Sequence, residues 1–250
     1  MGSEDLKRQA KDGIAEAQYV LAFLYENGLG CPIDLAEAVR LYRKAADMGF
    51  AAAAYSLGKM YGSGRGVERD DAAAFRWFLN AAEAGFVPAQ EQVAAQYQFG
   101  LGAPQSVSEA LRWTKRAAEK GYIPAILSLA DMYKRGEGTL VDLVQAFQWE
   151  KKAADLGDAG AAFTISCKYE KGEGVEQNEP LAFEWLNRAA ELGNWFAHSQ
   201  LASIYTHGLR GQPVDPVKAR EHEWKTEELH KIYLAKLREL GGKPEADEGG

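Results

Sequence analysis

Apolar residues in this chain follow two helical registers separated by short, glycine-bearing breaks. Ala17, Leu21, Leu24 and Tyr25 keep the i, i+4, i+7, i+8 spacing of one helix face, and Ala38, Leu41 and Ala45 trace the stripe of a second helix. The pair then recurs. Glycine returns every 36 residues at Gly13, Gly49, Gly85, Gly121, Gly157 and Gly193, with alanine four positions later each time. Tyrosine returns at Tyr25, Tyr61, Tyr97, Tyr133, Tyr169 and Tyr205, and a second glycine at Gly28, Gly64, Gly100, Gly136, Gly172 and Gly208. A third glycine stands two residues on, at Gly30, Gly66, Gly102, Gly138 and Gly174. One residue is inserted near Arg210 in the sixth unit, so that Ala219 takes the slot of Ala38. A fixed period of this length is the signature of a stacked repeat.

The punctuation predicts where each helix starts and stops. Second helices open at Asp34, Asp70, Ser106, Asp142, Asn178 and Asp215, all residues whose side-chain oxygen can bind a free backbone N–H. Glu37 and Glu109 stand three residues after their caps, as in a capping box. Pro88 and Pro124 fall in the first turn of a first helix, where a missing N–H is harmless. The three glycine columns hold 17 of the 26 glycines and read as helix stops. Trp77, Trp113, Trp149 and Trp185 occupy the slot of Leu41 and read as core. A unit of two helices has no partner for its own apolar face, so stacking must supply one.

The expected organisation is a capping helix, or the remnant of an upstream repeat, over 1–12, six repeats over 13–225, a continuing C-terminal capping helix over 226–240 and a disordered tail over 241–250. Ser3 reads as the cap of the first helix, with Ala10 in the slot of Ala46. Composition narrows the function. Hydrophobic residues make up 46% of the 250 and the formal charge is −7, so the chain is globular and a basic nucleic-acid-binding face is disfavoured. No stretch approaches the roughly 18 apolar residues of a membrane span. The opening Met1-Gly2-Ser3-Glu4-Asp5 is no signal peptide. The default compartment is the bacterial cytoplasm, with the periplasm as the alternative if a signal has been removed upstream. Cys31 and Cys167 lie almost four units apart and make no disulfide framework.

Unit two carries the pattern most fully, in Ala53, Leu57, Gly58, Met60, Tyr61, Gly64, Gly66, Val67, Asp70, Ala74 and Trp77, and unit four follows it from Ala125 to Trp149. This pattern resembles the Sel-1-like repeat, a relative of the tetratricopeptide repeat, over about 85% of the chain. The resemblance implies an all-α, right-handed superhelical solenoid of antiparallel helix pairs, with first helices lining a concave side. It also implies a module that binds a protein or peptide, in some relatives a secreted toxin. An immunity protein that neutralises a type VI lipase is therefore a narrower alternative.

Candidate chemistry changes this picture little. Ser56-Leu57-Gly58-Lys59 matches the S-x-x-K motif of penicillin-interacting enzymes, but no S-D-N or K-T-G accompanies it. Gly62-Ser63-Gly64-Arg65-Gly66 lacks the strand that a nucleotide-binding glycine loop requires. His222 and His230 stand eight apart on a polar helix, and read as solvated surface rather than zinc ligands. No catalytic residue, cofactor or metal is expected. Trp195 and Trp224 fall outside the tryptophan column and serve either the cap or a partner. With Leu21, Ala22 and Tyr25 in packing slots, the expected partner-binding residues are Tyr19, Phe23, Glu26, Tyr55, Lys59, Gln92, Gln98, Asp131 and Lys134. Tyr19, Phe23 and Tyr55 would form one aromatic cluster, the usual kind of anchor for a partner.

Overall fold

A computed structural model describes residues 3–239; the side chain of Ser3 and the tail expected over 241–250 lie outside the described residues. Every regular element among those residues is a helix. A leading α1 (Ser3–Lys11) is followed by the pairs α2 (Ala15–Asn27) and α3 (Leu35–Asp47), α4 (Ala51–Ser63) and α5 (Asp71–Glu83), and α6 (Val87–Phe99) and α7 (Val107–Glu119). Then come α8 (Ile123–Arg135) and α9 (Leu143–Asp155), α10 (Ala159–Lys171) and α11 (Glu179–Glu191), and α12 (Trp195–His207) with the long α13 (Pro216–Glu239). Two compact units divide them: one runs to Val141 and holds α1 to α8, and the other begins at Asp142 and holds α9 to α13. Within each unit every helix packs against its neighbours in sequence, as short turns between amphipathic helices require.

The second helices start where the polar caps stand. Asp34, Asp70, Ser106, Asp142 and Asn178 each accept from the backbone N–H three residues on. Asp215 accepts from Val217 and Lys218 at the head of α13. The cap residues Asp34, Asp70, Ser106, Asn178 and Asp215 also donate their own N–H to the carbonyl of the recurring tyrosine, which ties the loop to the first helix. Asp158 and Asn194 cap α10 and α12 in the same way. Ile14, Phe50, Phe86 and Tyr122 hold that position in the other repeats and make no side-chain cap; the rings of Phe50 and Phe86 pack against Tyr19 and Tyr55 instead.

The glycine columns have different tasks, which corrects their common reading as helix stops. Gly28 and its equivalents are true stops, left-handed residues at the ends of the first helices. The third column marks a close approach of backbones. A Cβ on Gly102 would lie 2.0 Å from the Asp71 carbonyl oxygen, and one on Gly174 would lie 2.2 Å from that of Leu143. Gly66 and Gly138 meet Leu35 and Val107 in the same way, at 2.6 and 2.7 Å. Each turn therefore seats its backbone on the first residues of the preceding second helix. Gly30 has the same φ as Gly102, +73°, but open space around it.

The tryptophan column is less uniform than its sequence suggests. Trp113 and Trp185 are buried, whereas Trp77 and Trp149 are half-buried. The column runs along a flank that cations cover: Arg116 stands 4.6 Å from the Trp113 ring and Lys152 4.7 Å from that of Trp149. The next position faces the first helices directly and is buried as Tyr42, Phe78, Thr114, Glu150 and Leu186. Phe78 fills the space left by Gly58, whose Cβ would come 2.8 Å from its ring. In the second unit this slot holds Glu150, whose carboxylate lies 2.5 Å from the Lys168 ammonium with both side chains no more than 6% exposed.

At the C-terminal end the histidines are packed rather than solvated, contrary to the expectation from sequence. His198, buried on α12, shares a 2.8 Å Nδ1–Nδ1 hydrogen bond with His222 on α13, so one ring must donate and the other accept. His198 occupies the repeat position of Gln18 and Gln90, which donate to the carbonyls of Ala10 and Ala82; the equivalent Ala190 carbonyl is a partner of His198. Tyr205 stacks on His222 at 5.8 Å. Trp195 stacks on Phe196 and on His230, 3.6 and 4.6 Å away, which assigns it to the cap, whereas Trp224 is exposed. Desolvation pushes both paired histidines below the usual imidazole pKa; for His198 the His222 and Lys225 charges add to this. For His222, Glu221 opposes the shift while Lys225 and Lys218 add to it.

Three outcomes are expected. Gly30→Ala should cost about 1 kcal/mol, the strain of a left-handed alanine, whereas Gly102→Ala adds a backbone clash and should cost at least twice that in urea unfolding. Glu150→Leu leaves Lys168 buried without its carboxylate and should cost about 3–5 kcal/mol, and adding Lys168→Met should restore most of the loss in thermal unfolding. The folded histidine pair stays neutral where the unfolded chain binds protons, so stability should be flat above about pH 6.5 and fall as pH drops below it. His198→Gln, which keeps a donor for Ala190, should flatten that fall; melts at pH 7.5 and 5.5 that show no change in slope would contradict the assignment.

Candidate binding surface

In the first unit, α2, α4, α6 and α8 present an open face whose side chains are set by repeat position. Two clefts lie along it. One, of about 450 Å³, lies between α4 and α6 and is lined by Lys59, Met60, Arg65, Phe78, Gln92 and Gln96 among others. The second, of about 270 Å³, lies between α6 and α8 and is lined by Glu91, Gln98, Ser128, Asp131, Arg135 and Glu137 among others. Ala95 lines both. A methyl group at that point of α6 leaves the ridge between the clefts low.

The structure brings Lys59, Gln92, Gln98 and Asp131 to these clefts, as expected from their repeat positions, and Glu26 reaches the edge of the first. It separates the others. Tyr19 and Tyr55 do not join Phe23 in one cluster among the described residues. Tyr19 packs between Tyr42 and Phe50, at 5.7 and 5.2 Å, and Tyr55 lies between Phe78 and Phe86, at 5.6 and 5.2 Å. Both rings are half-buried because their position points at the start of the next first helix. Phe23 is 44% exposed. Lys134 pairs with Asp131 at 3.4 Å on α8 and lines neither cleft. Ser56 stands beside Tyr42, and the Lys59 ammonium lies 5.9 Å from the Tyr55 ring centre.

Electrostatics distinguish residues held by the scaffold from those open to a ligand. Glu26, its side chain 16% exposed, accepts from the Tyr42 hydroxyl at 2.8 Å and pairs with Arg65 at 3.1 Å. It is a junction between repeats more than a contact for a partner. Burial, then the Glu26 carboxylate, push the Tyr42 hydroxyl well above the usual phenol pKa. Tyr55 and Tyr122 shift upward through burial, then the Glu91 carboxylate. Asp131 is held by Arg135 at 2.9 Å, and Arg135 also reaches Glu137 at 3.7 Å. Gln98 donates to Glu137 at 3.3 Å.

Sequence reasoning missed the turn residues. Arg65 with Glu26 and Glu137 with Gln98 join positions 39 apart, so the residue after the second glycine reaches back to the end of the preceding first helix. In the second unit the inserted Arg210, with a φ of +52°, makes the same reach to Glu170 at 2.6 Å. The sequence gives only a weak signal there, because Arg65, Glu137 and Glu173 share that turn position with Leu29, Leu101 and Leu209. It is visible only once the turn is known to fold over the previous repeat.

The family model described as Sel1 repeat matches residues 15–50, 51–86, 87–122, 123–158, 162–194 and 195–222. Among solved structures, the chain is similar to c5321, a protective antigen of uropathogenic Escherichia coli with an SLR fold: identity is 31% and the TM-score 0.80. That match covers 98% of this chain but 54% of the antigen, so the chain spans about half the length of that relative. It is also similar to a Sel1 repeat protein from Oxalobacter formigenes, at 30% identity and a TM-score of 0.65 over 90% of this chain and 88% of that one. The immunity protein Pa5087 from Pseudomonas aeruginosa is 20% identical with a TM-score of 0.43 over 88% of this chain and 86% of that one, a distance that says nothing about a partner. Among curated proteins none matches the chain significantly. Six matched segments, each a pair of helices, place this chain in the Sel1 repeat family, whose members generally mediate protein–protein interaction.

Proposed function

We infer that this chain is a non-catalytic module that holds a protein partner on the open face of its first helices. The observation that carries the reading is the pair of clefts meeting at Ala95. Their lining mixes charged, amide and apolar groups: Lys59, Gln92 and Asp131 stand above a floor that includes Met60 and Met132. Such a lining suits a polypeptide, which brings backbone donors and acceptors along with side chains of either kind. Helix pairs locked by backbone contact hold these side chains in place before a partner arrives, so little ordering cost remains at binding. No helix among the described residues is long and apolar enough to cross a membrane.

The reading is tested by placing a photo-crosslinking phenylalanine analogue at Lys59, at Gln92 or at Arg76 on α5, in the native host. Adducts to a discrete partner should form from the first two positions and not from the third. Adducts from Arg76 alone would move the binding surface to the second helices and overturn the reading.

A further inference from the structure

The two clefts differ in the charge that they leave uncompensated. Most ionic groups around them are held internally: Arg65 by Glu26, Arg69 by Asp71 and Arg135 by Asp131. Two are not. Among the described residues, no carboxylate stands within ion-pair distance of Lys59 in the α4–α6 cleft, and no lysine or arginine stands within that distance of Glu91 in the α6–α8 cleft. Asp131 and Glu137 are matched by Lys134 and Arg135, so the excess negative charge on that side is the Glu91 carboxylate itself.

Ala95 lies between the two charges. It holds the repeat position that is Lys59 one unit earlier and Asp131 one unit later, and it is the smallest of the three. A ligand can therefore cross α6 there without a side chain blocking its path. We propose that the groove binds an extended peptide segment that crosses α6 at Ala95, with an acidic side chain towards Lys59 and a basic side chain towards Glu91. The proposal deepens the protein-binding reading of this same surface and rests on it.

Geometry fixes the spacing of the two side chains. The clefts are separated by the width of one helix, about 10–12 Å with side chains. An extended chain advances about 3.3 Å per residue and points alternate side chains to the same side, so residues i and i+4 face the groove about 13 Å apart. Residues i and i+3 would face opposite ways. Gln92, on the cleft wall between Lys59 and Ala95, supplies an amide that can both donate to and accept from the crossing backbone. The opposite signs argue for a polypeptide over a nucleic acid, whose uniform charge would meet Glu91 unfavourably.

The test uses the full chain and four fluorescein-labelled nonapeptides of one Ala/Ser background, read by fluorescence anisotropy. Positions 3 and 7 carry Glu and Arg, Arg and Glu, two Glu or two Arg. One of the two mixed peptides should bind at least tenfold more tightly than either single-sign peptide. The Lys59→Glu, Glu91→Lys double variant should exchange the preference between the two mixed orders. Ala95→Trp should weaken the favoured peptide at least tenfold with unchanged helical content, and Ala95→Gln should weaken it less. Equal binding of all four peptides, weakened by Ala95→Trp, would overturn the charge order and leave the protein-binding groove intact. If no peptide binds at millimolar concentration, the proposal fails; if crosslinks from Lys59 are absent as well, the protein-binding reading fails with it.

Discussion

Repeat packing within each unit depends on one steric constraint: the turns after α4, α6, α8 and α10 touch the preceding second helix backbone to backbone. At Gly102 the approach leaves 2.0 Å between the place of a Cβ and the Asp71 carbonyl oxygen, and the contact recurs at Gly66, Gly138 and Gly174. No other residue fits, because a Cβ would push the turn away from the helix on which it rests. The distance between successive repeats within a unit is thereby set by main-chain contact. Side chains elsewhere in the repeat then vary without altering the spacing, which is why Tyr42, Phe78 and Thr114 can occupy one slot in one unit.

Around this contact the structure assigns its polar groups to two roles. Those at the ends of the first helices join consecutive repeats, as Glu26 does with Arg65 and Glu170 with Arg210. Those along the middle of the first helices stand over the clefts, where Lys59 and Glu91 are left without internal counter-charges among the described residues. The division follows from direction. A residue in the last turn of a first helix meets the next turn, whereas one in the middle meets only the neighbouring first helices and open space. Cleft shape then follows from size, and Ala95 lowers the ridge where Lys59 and Asp131 would raise it.

Much of this is legible in the sequence alone. The six-fold period, the capped starts of the second helices and the left-handed glycines that end the first helices are local events. Each is decided within a few residues by hydrogen bonding or by φ, so a single sequence exposes it. The candidate surface was legible in part, because repeat position brought Lys59, Gln92, Gln98 and Asp131 to one face. The single aromatic cluster expected of Tyr19, Phe23 and Tyr55 does not form among the described residues. Helical spacing tells which side of a helix a ring lies on, but not that Phe50 and Phe86 rise from the next repeat to meet it. The histidines misled for the same reason: His222 lies on a polar helix and finds its partner, His198, on another.

The amino-acid sequence by itself determined the helices, their order and the number of repeats, because these rest on interactions that span a few residues and recur every 36. Only the tertiary structure decided what each recurring residue touches. It distinguished the glycine that ends a helix from the glycine that admits a neighbouring backbone, although one period carries both. It also separated the charges consumed between repeats from the two left facing the clefts. Those outcomes depend on distances between segments some 40 residues apart, such as the 39 between Glu26 and Arg65. Chain connectivity permits many such distances, and packing selects one.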